Sequence, residues 1–288
     1  MVIDMRLRPP LPSFIGTTIF EKAEVGTYRP TRAWFKRPPS AEERSMPLLL
    51  AEMDEAGIQW GVIMGRYSAE PLGTIPNDEL AECVARYPDR FVAWAGADLA
   101  WPMEQILAEI DRCLALPGFK GVSIEPTVSK NPLIRTADNP LLYPIYEACQ
   151  SRDIPISISL SAILQVSVRA PYEDSAPWQI YRVAQDFPKL DIHIAHAAWP
   201  WVMEMIGIAF TCPRVWVSPD QYLIEQSPGA GEYVKAANNY FPERTLFGSA
   251  YPAKPLPEMV AAYRRWDWAP GVEQKVLADN ALRLMRMA

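Results

Sequence analysis

Only two histidines occur in this chain, His193 and His196, three residues apart in the run "DIHIAHAAWPW". A neutral imidazole titrates close to physiological pH, so His196, at the end of an apolar run, is the candidate general acid or base. On an extended strand a spacing of three points His193 to the opposite face, a structural role. Asp220, following "VWVSP", is a carboxylate that orients His196, acts as a base itself, or simply serves a turn after Pro219. Arg6 and Arg8 alternate in "DMRLR", behind Asp4. Alternation on a strand puts both guanidinium groups on one side, and their planar forks suit carboxylates. They either clamp an acidic substrate or pair with Asp4, Glu125 or Asp98 in a buried network. Pro9 and Pro10 weaken the case for Arg8, because they can turn the chain outward. Glu125 in "SIEP" either assists His196 or balances the arginines. Arg66, Tyr67, Ser159, Tyr222, Ser249 and Lys254 complete the candidate substrate-binding set, each also readable as polar lining. Ser161 is a further strand-end hydroxyl. The four cysteines, Cys83, Cys113, Cys149 and Cys212, lie far apart with no C-x-x-C and read as buried thiols.

The elements that must position these groups follow from the apolar pattern. Short two-sided apolar runs recur: Val2–Met5, Gly61–Met64, Phe91–Gly96, Gly121–Ile124, Pro155–Leu160, Asp191–Ala195, Val215–Ser218 and Thr245–Gly248. Such runs suit parallel strands covered on both faces. Amphipathic stretches lie between them. One of these, "SAEERSMPLLLAEMDEAGI", is predicted to open with a capping box from Ser40 to Glu43 and to close at Gly57. Alternation of strand and helix implies a parallel sheet, and eight such units in 288 residues imply a single-domain (β/α)8 TIM barrel over 1–288. The segment 9–39 is then a long insertion after the first strand, expected to cover the barrel mouth. Barrel chemistry sits at the C-terminal ends of the strands, which is where the residues above fall.

Net charge is −6 and pI about 5.2, so bulk electrostatics disfavour nucleic acid and anionic membranes. No apolar window reaches the roughly 20 residues of a membrane span, and "MVIDMRLRPP" lacks a signal peptide's order of charge and apolarity. A cytoplasmic location is expected.

The segments "NPLLYPIYEACQSRDIPISIS", "KLDIHIAHAAWPW", "RTLFGSAYP" and "LADNALRLM" resemble the amidohydrolase-related family of metal-dependent barrels. That family includes decarboxylases of aromatic and aminomuconate-semialdehyde acids, lactonases and hydratases. The resemblance implies Asp-x-His-x-His on the first strand, a His ending the fifth, another ending the sixth, and Gly-Ser-Asp-Tyr-Pro on the eighth. Here Asp4 and His196 match. Arg6 and Arg8 replace the paired histidines, Ser159 stands at the fifth strand, and Ala250 replaces the aspartate. Arginine has no lone pair to offer, and one His with Asp4 is too few for a tight zinc site. The expectation is therefore no metal and no cofactor. The function expected is lyase-type or hydrolytic chemistry on a small carboxylate, an aromatic or unsaturated acid or a lactone. Two alternatives stand beside it: a non-catalytic barrel that supports an active paralogue or binds an organic acid, and a weak metal site at Asp4, His196 and Glu125. The resemblance also implies a homo-oligomer.

Overall fold

The computed structural model describes residues 1–20 and 35–287. Nine strands occur among them: β1 (Val2–Asp4), β2 (Ile58–Met64), β3 (Arg66–Tyr67), β4 (Thr74–Ile75), β5 (Phe91–Gly96), β6 (Phe119–Ile124), β7 (Ile156–Ser159), β8 (Ile192–Ala195) and β9 (Val215–Ser218). Seven form one sheet, in the order β1-β2-β5-β6-β7-β8-β9, with every pairing parallel. β3 and β4 form a small antiparallel hairpin after β2. The helices lie between successive strands, as parallel crossovers require, and the sheet curls into a TIM barrel.

The eighth expected strand, Thr245–Gly248, is not a regular one. Thr245 bridges Val217 in parallel, and Leu246 N donates to Val217 O at 2.9 Å. On the other side Met5 N donates to Phe247 O at 3.0 Å, but the Phe247 amide goes to Val276 O in the C-terminal helical segment. One amide diverted to the helix layer leaves too few ladder bonds for a strand. The ring closes all the same, through two backbone bonds to Val217 on one side and one from Met5 on the other.

Two apolar layers result from strand alternation. Residues such as Ile63, Ala93, Ile124, Ile158, Ile194 and Val217 pack outward under the helices. Ile3, Met5, Val62, Met64, Val92, Trp94, Trp216 and Leu246 fill the barrel interior. Trp94 fits there because residue 121 is glycine: a Cβ on Gly121 would overlap the indole. His193 also lies inside the barrel, its ring 5.9 Å from Trp94 and its Nδ1 3.0 Å from Ser157 Oγ. It is thus a core residue as expected, but it sits beneath the strand ends and not on an outer face. Burial pushes its pKa down to about 3.

The helix Met46–Ala56 corrects the predicted cap. Ser45 is its N-cap, accepting from Leu48 N at 3.4 Å, whereas Ser40 turns both its amide and its hydroxyl to Glu52. Gly57 closes the helix at φ 70°, the left-handed conformation glycine adopts without strain. All four cysteines are buried and free.

Candidate active site at the strand ends

β1 is only three residues long, and the chain leaves it through Met5 to Arg6 and Arg8. Arg6 Nη2 donates to Glu125 Oε1 at 3.0 Å and Nη1 lies 3.0 Å from Met64 Sδ. Arg66, just beyond β2, reaches the same carboxylate: Nη2 to Oε1 at 3.0 Å and Nε to Oε2 at 2.9 Å. Ser68 Oγ completes Glu125 at 2.5 Å. Burial raises the pKa of Glu125, but Arg66, Arg6 and Ser68 outweigh it and hold the group far below the usual carboxylate range. With both oxygens occupied and the proton so weakly held, Glu125 is placed as counter-ion to the arginines, the second of its two sequence readings. Two guanidinium groups share this one carboxylate, so the trio keeps a net positive charge.

Arg8 is not turned outward by Pro9 and Pro10. It is buried, and its Nη1 donates to Ala250 O at 3.1 Å and Tyr251 O at 3.3 Å. Asp4 does not neutralise an arginine side chain. Its Oδ1 accepts the amides of Arg6 and Ser249, both at 2.9 Å, and its Oδ2 accepts Ser249 Oγ at 2.5 Å. It stitches β1 to the Thr245–Gly248 segment. Burial lifts its pKa to about 6 against those hydrogen bonds. Asp98, the other suggested partner of the arginines, caps Ala100 N and lies 3.8 Å from Lys130 Nζ.

His196 follows β8 directly. Asp220 Oδ2 accepts the His196 amide at 3.0 Å and lies 2.9 Å from its Nδ1, with the ring N–H angled away from the ideal line. Asp220 Oδ1 accepts from Ser218 Oγ. Both residues are fully buried. Burial opposes ionisation of Asp220, yet His196, Ser218 and Arg6 hold its pKa below the ordinary value. Burial, helped by Arg6 and Arg8, lowers that of His196 despite the Asp220 contact. The outcome is a neutral imidazole with a carboxylate at Nδ1. That carboxylate favours the tautomer with the proton on Nδ1, so Nε2 carries the lone pair.

Several strand-end residues adopt left-handed backbone: His196 (φ 68°), Ala197 (44°), Ala198 (56°), Asp220 (52°) and Ala250 (55°). Each non-glycine residue there costs roughly 1–2 kcal/mol, and such strain gathers at functional sites. Tyr233 Oη holds the strained turn, donating to Ala197 O at 2.6 Å. Gly248 makes room for Asp220, since a Cβ there would collide with Oδ1. Gly248→Ala is expected to displace Asp220 and cost about 1–3 kcal/mol, read as a lowered Tm.

A narrow cavity opens above these groups, lined among others by Arg8, Arg66, Ser161, His196, Tyr222 and Ala250. Tyr222 stacks on Trp199 at 4.6 Å and 6°, and its Oη lies 3.1 Å from Ser161 Oγ. Leu72, Ile163 and Leu164 add an apolar wall. Thr17, Thr18 and Ile19 reach the cavity from the 9–39 insertion; residues 21–34 of that insertion lie outside the described ones. A second, tighter chamber adjoins it, lined by Arg6, Leu7, Arg8, Phe14, Met64, Gly65, Arg66 and Glu125. Arg8 and Arg66 line both.

Other candidates fall elsewhere. Tyr67 packs on Trp101 with ring centroids 5.5 Å apart, outside the lining. Lys254 is buried with Nζ 4.8 Å from the Phe35 ring centroid, and burial lowers its pKa to about 8. Ser249 is committed to Asp4. Ser159 is buried and lines neither chamber. Thr17–Ile19 fall in the 9–39 segment expected over the barrel mouth, but Leu72, Ile163 and Leu164 went unseen, because an apolar residue beside Arg66 or Ser161 carries no local sign of a site. Ser218, two residues before Asp220, was legible only as part of a strand.

These donors do not fit a divalent ion. The Asp4 oxygens are taken by three hydrogen bonds and those of Glu125 by guanidinium groups, while Arg6, Arg8 and Ala250 offer no side-chain lone pair. Among the described residues no three His, Cys, Asp or Glu side chains are arranged to hold a metal, and the site suggested at Asp4, His196 and Glu125 is not formed.

No helix of the described residues is long and apolar enough to cross a membrane. Among solved structures, an uncharacterized TIM-barrel protein from Bordetella bronchiseptica is 35% identical, with TM-score 0.89, covering 99% of this chain and 98% of that one. The 2,6-dihydroxybenzoate decarboxylase from Rhizobium superposes with TM-score 0.70 at 17% identity, covering 99% and 98%. A dihydroxybenzoic acid decarboxylase from Polaromonas, solved with bound manganese and the inhibitor 2-nitroresorcinol, gives TM-score 0.67 at 16% identity, covering 99% and 97%. The barrel, the order of its segments and a family model for amidohydrolases that matches residues 3–287 agree: the chain belongs to the amidohydrolase family.

Proposed function

We propose that this protein is a metal-independent enzyme that moves a proton on a small carboxylate-bearing substrate, with His196 as general base. The observation that carries the proposal is the neutral His196 backed by Asp220 in a cavity shared with Arg8 and Arg66. A guanidinium pair holds the anion and stabilises negative charge that develops in the transition state. Nε2 of His196 removes a proton from water or from a carbon acid beside the held anion. In the first case the hydroxide equivalent adds to a lactone carbonyl, the ring C–O bond breaks, and the leaving oxygen takes the proton back from His196. In the second the freed electron pair forms the C=C bond as the bond to a β-oxygen substituent breaks; that oxygen leaves with the bonding pair and takes the proton back from His196, giving an unsaturated acid and water or an alcohol. The Tyr222–Trp199 stack and the Leu72, Ile163 and Leu164 wall suit a planar or apolar body.

The test is a panel of lactones, hydroxy acids, unsaturated acids and aromatic acids, assayed before and after exhaustive chelation. Turnover that survives chelation supports the proposal. Turnover that disappears and returns with manganese overturns its metal independence. Submillimolar binding of acids with no turnover across the panel overturns catalysis in favour of an organic-acid-binding barrel.

A further inference from the structure

The two chambers divide the labour between anchoring and chemistry. His196 lines the larger one and not the smaller. Among the described residues, the smaller is lined by the guanidinium groups of Arg6, Arg8 and Arg66 and by the Glu125 carboxylate. Glu125 is already saturated by Arg6, Arg66 and Ser68. Arg6 has a side chain only 4% exposed, and its Nε–H is buried without a hydrogen-bond partner. A buried charged donor left unmade costs free energy that a ligand can recover.

We infer that the smaller chamber is an anchoring subsite for a carboxylate that the reaction leaves untouched. Resting on the general-base reading of His196, this names the substrate class more closely: an acid with a second reactive group, a lactone carbonyl or a β-substituted carbon, which extends past Arg8 and Arg66 to the imidazole. The physical reason is differential binding. Loss of CO2 moves negative charge off the carboxylate and onto carbon, so guanidinium groups that grip the carboxylate favour the ground state over that transition state. The same grip costs nothing when bonds change elsewhere in the molecule. The carboxylate held here is therefore retained in the product, unlike the one lost in the reactions that the Rhizobium and Polaromonas decarboxylases are named for.

The test is calorimetric titration of the whole protein with benzoate and with its neutral isostere benzamide. Benzoate is expected to bind at least about tenfold more tightly, the worth of one charged hydrogen bond. Arg6→Lys keeps a cation beside Glu125 but removes the Nε–H; it is expected to weaken benzoate about tenfold and leave benzamide unchanged. Equal affinities for the two ligands in the wild-type protein would overturn the subsite, and that comparison needs no variant. With any acid that is turned over, a carboxyl-13C label is expected to stay in the soluble product, and labelled CO2 would overturn the inference. The two readings fail separately. Discrimination between benzoate and benzamide without turnover leaves the subsite and counts against His196 chemistry. Turnover without discrimination does the reverse.

Discussion

His196→Asn protein is expected to fold normally and to lose between two and four orders of magnitude in kcat, the usual contribution of a positioned general base. Asparagine is the informative replacement because residue 196 sits at φ 68°, a conformation that Asn tolerates far better than Gln or Ala. Its side-chain amide can still face Asp220, so the Asp220 carboxylate is not left with an empty partner site. The wild-type pH profile carries the complementary signature. His196 is pushed below its ordinary value of 6.5, chiefly by burial, so the neutral base persists as pH falls past 6.5 and the acid limb of kcat/KM lies below that value. Asp220→Asn removes the charge that opposes this shift, so residual activity in that variant is expected to have its acid limb at still lower pH. An acid limb above 6.5 in the wild-type protein would contradict the assignment. Circular dichroism and Tm separate loss of the base from loss of the fold.

Glu125→Gln is expected to be the most damaging single substitution for stability. It leaves Arg6 and Arg66 buried without their shared counter-ion, a change that typically costs about 3–5 kcal/mol. In a chain of this size each kcal/mol moves Tm by about 2–4 °C, so the fall is expected to exceed about 6 °C. The pH dependence follows from the lowered pKa of Glu125. A carboxylate held below its ordinary value of 4.5 contributes its full stability above that value, and the contribution is lost as pH falls below it towards the folded-state pKa. Denaturant titrations at pH 7 and in acid are expected to show a steeper acid loss in the wild-type protein than in Glu125→Gln. Equal losses would mean that Glu125 is not the ionised hub of the network.

The barrel itself was legible because its strands are short, β-branched and apolar on both faces; Phe91–Gly96 and Val215–Ser218 keep the boundaries their composition implies. Thr245–Gly248 has the same composition, but its ladder depends on where one amide goes, and Val276, some thirty residues on, takes it. The Ser45 cap was hidden because Ser40 offered an equally good local pattern, and the decision lay with Glu52 one helix face away. At the site, residue type and strand-end position were enough to single out His196, Asp220, Arg6, Arg8 and Arg66. Pairing was not readable. Glu125 is 119 residues from Arg6 and 59 from Arg66, and no local rule chooses between counter-ion and base at that range. Nor does sequence reveal that Tyr67 and Lys254, each beside a strand end, turn away from the cavity.

The seam between β1 and the Thr245–Gly248 segment has a consequence for how the protein fails. The seven strands of the sheet are paired by ladders; here the join is one backbone bond from Met5 to Phe247, the Asp4–Ser249 contacts and the reach of Arg8 to Ala250 and Tyr251. Local opening is drawn from regions with the fewest protected backbone bonds, so breathing motions part the ring at this line. Arg6 and Arg8 then travel with one lip while Asp220 and Gly248 stay with the other. If Arg8 and His196 act together as proposed, loss of activity on warming is expected to precede loss of the sheet, read by assaying and recording circular dichroism at the same temperatures.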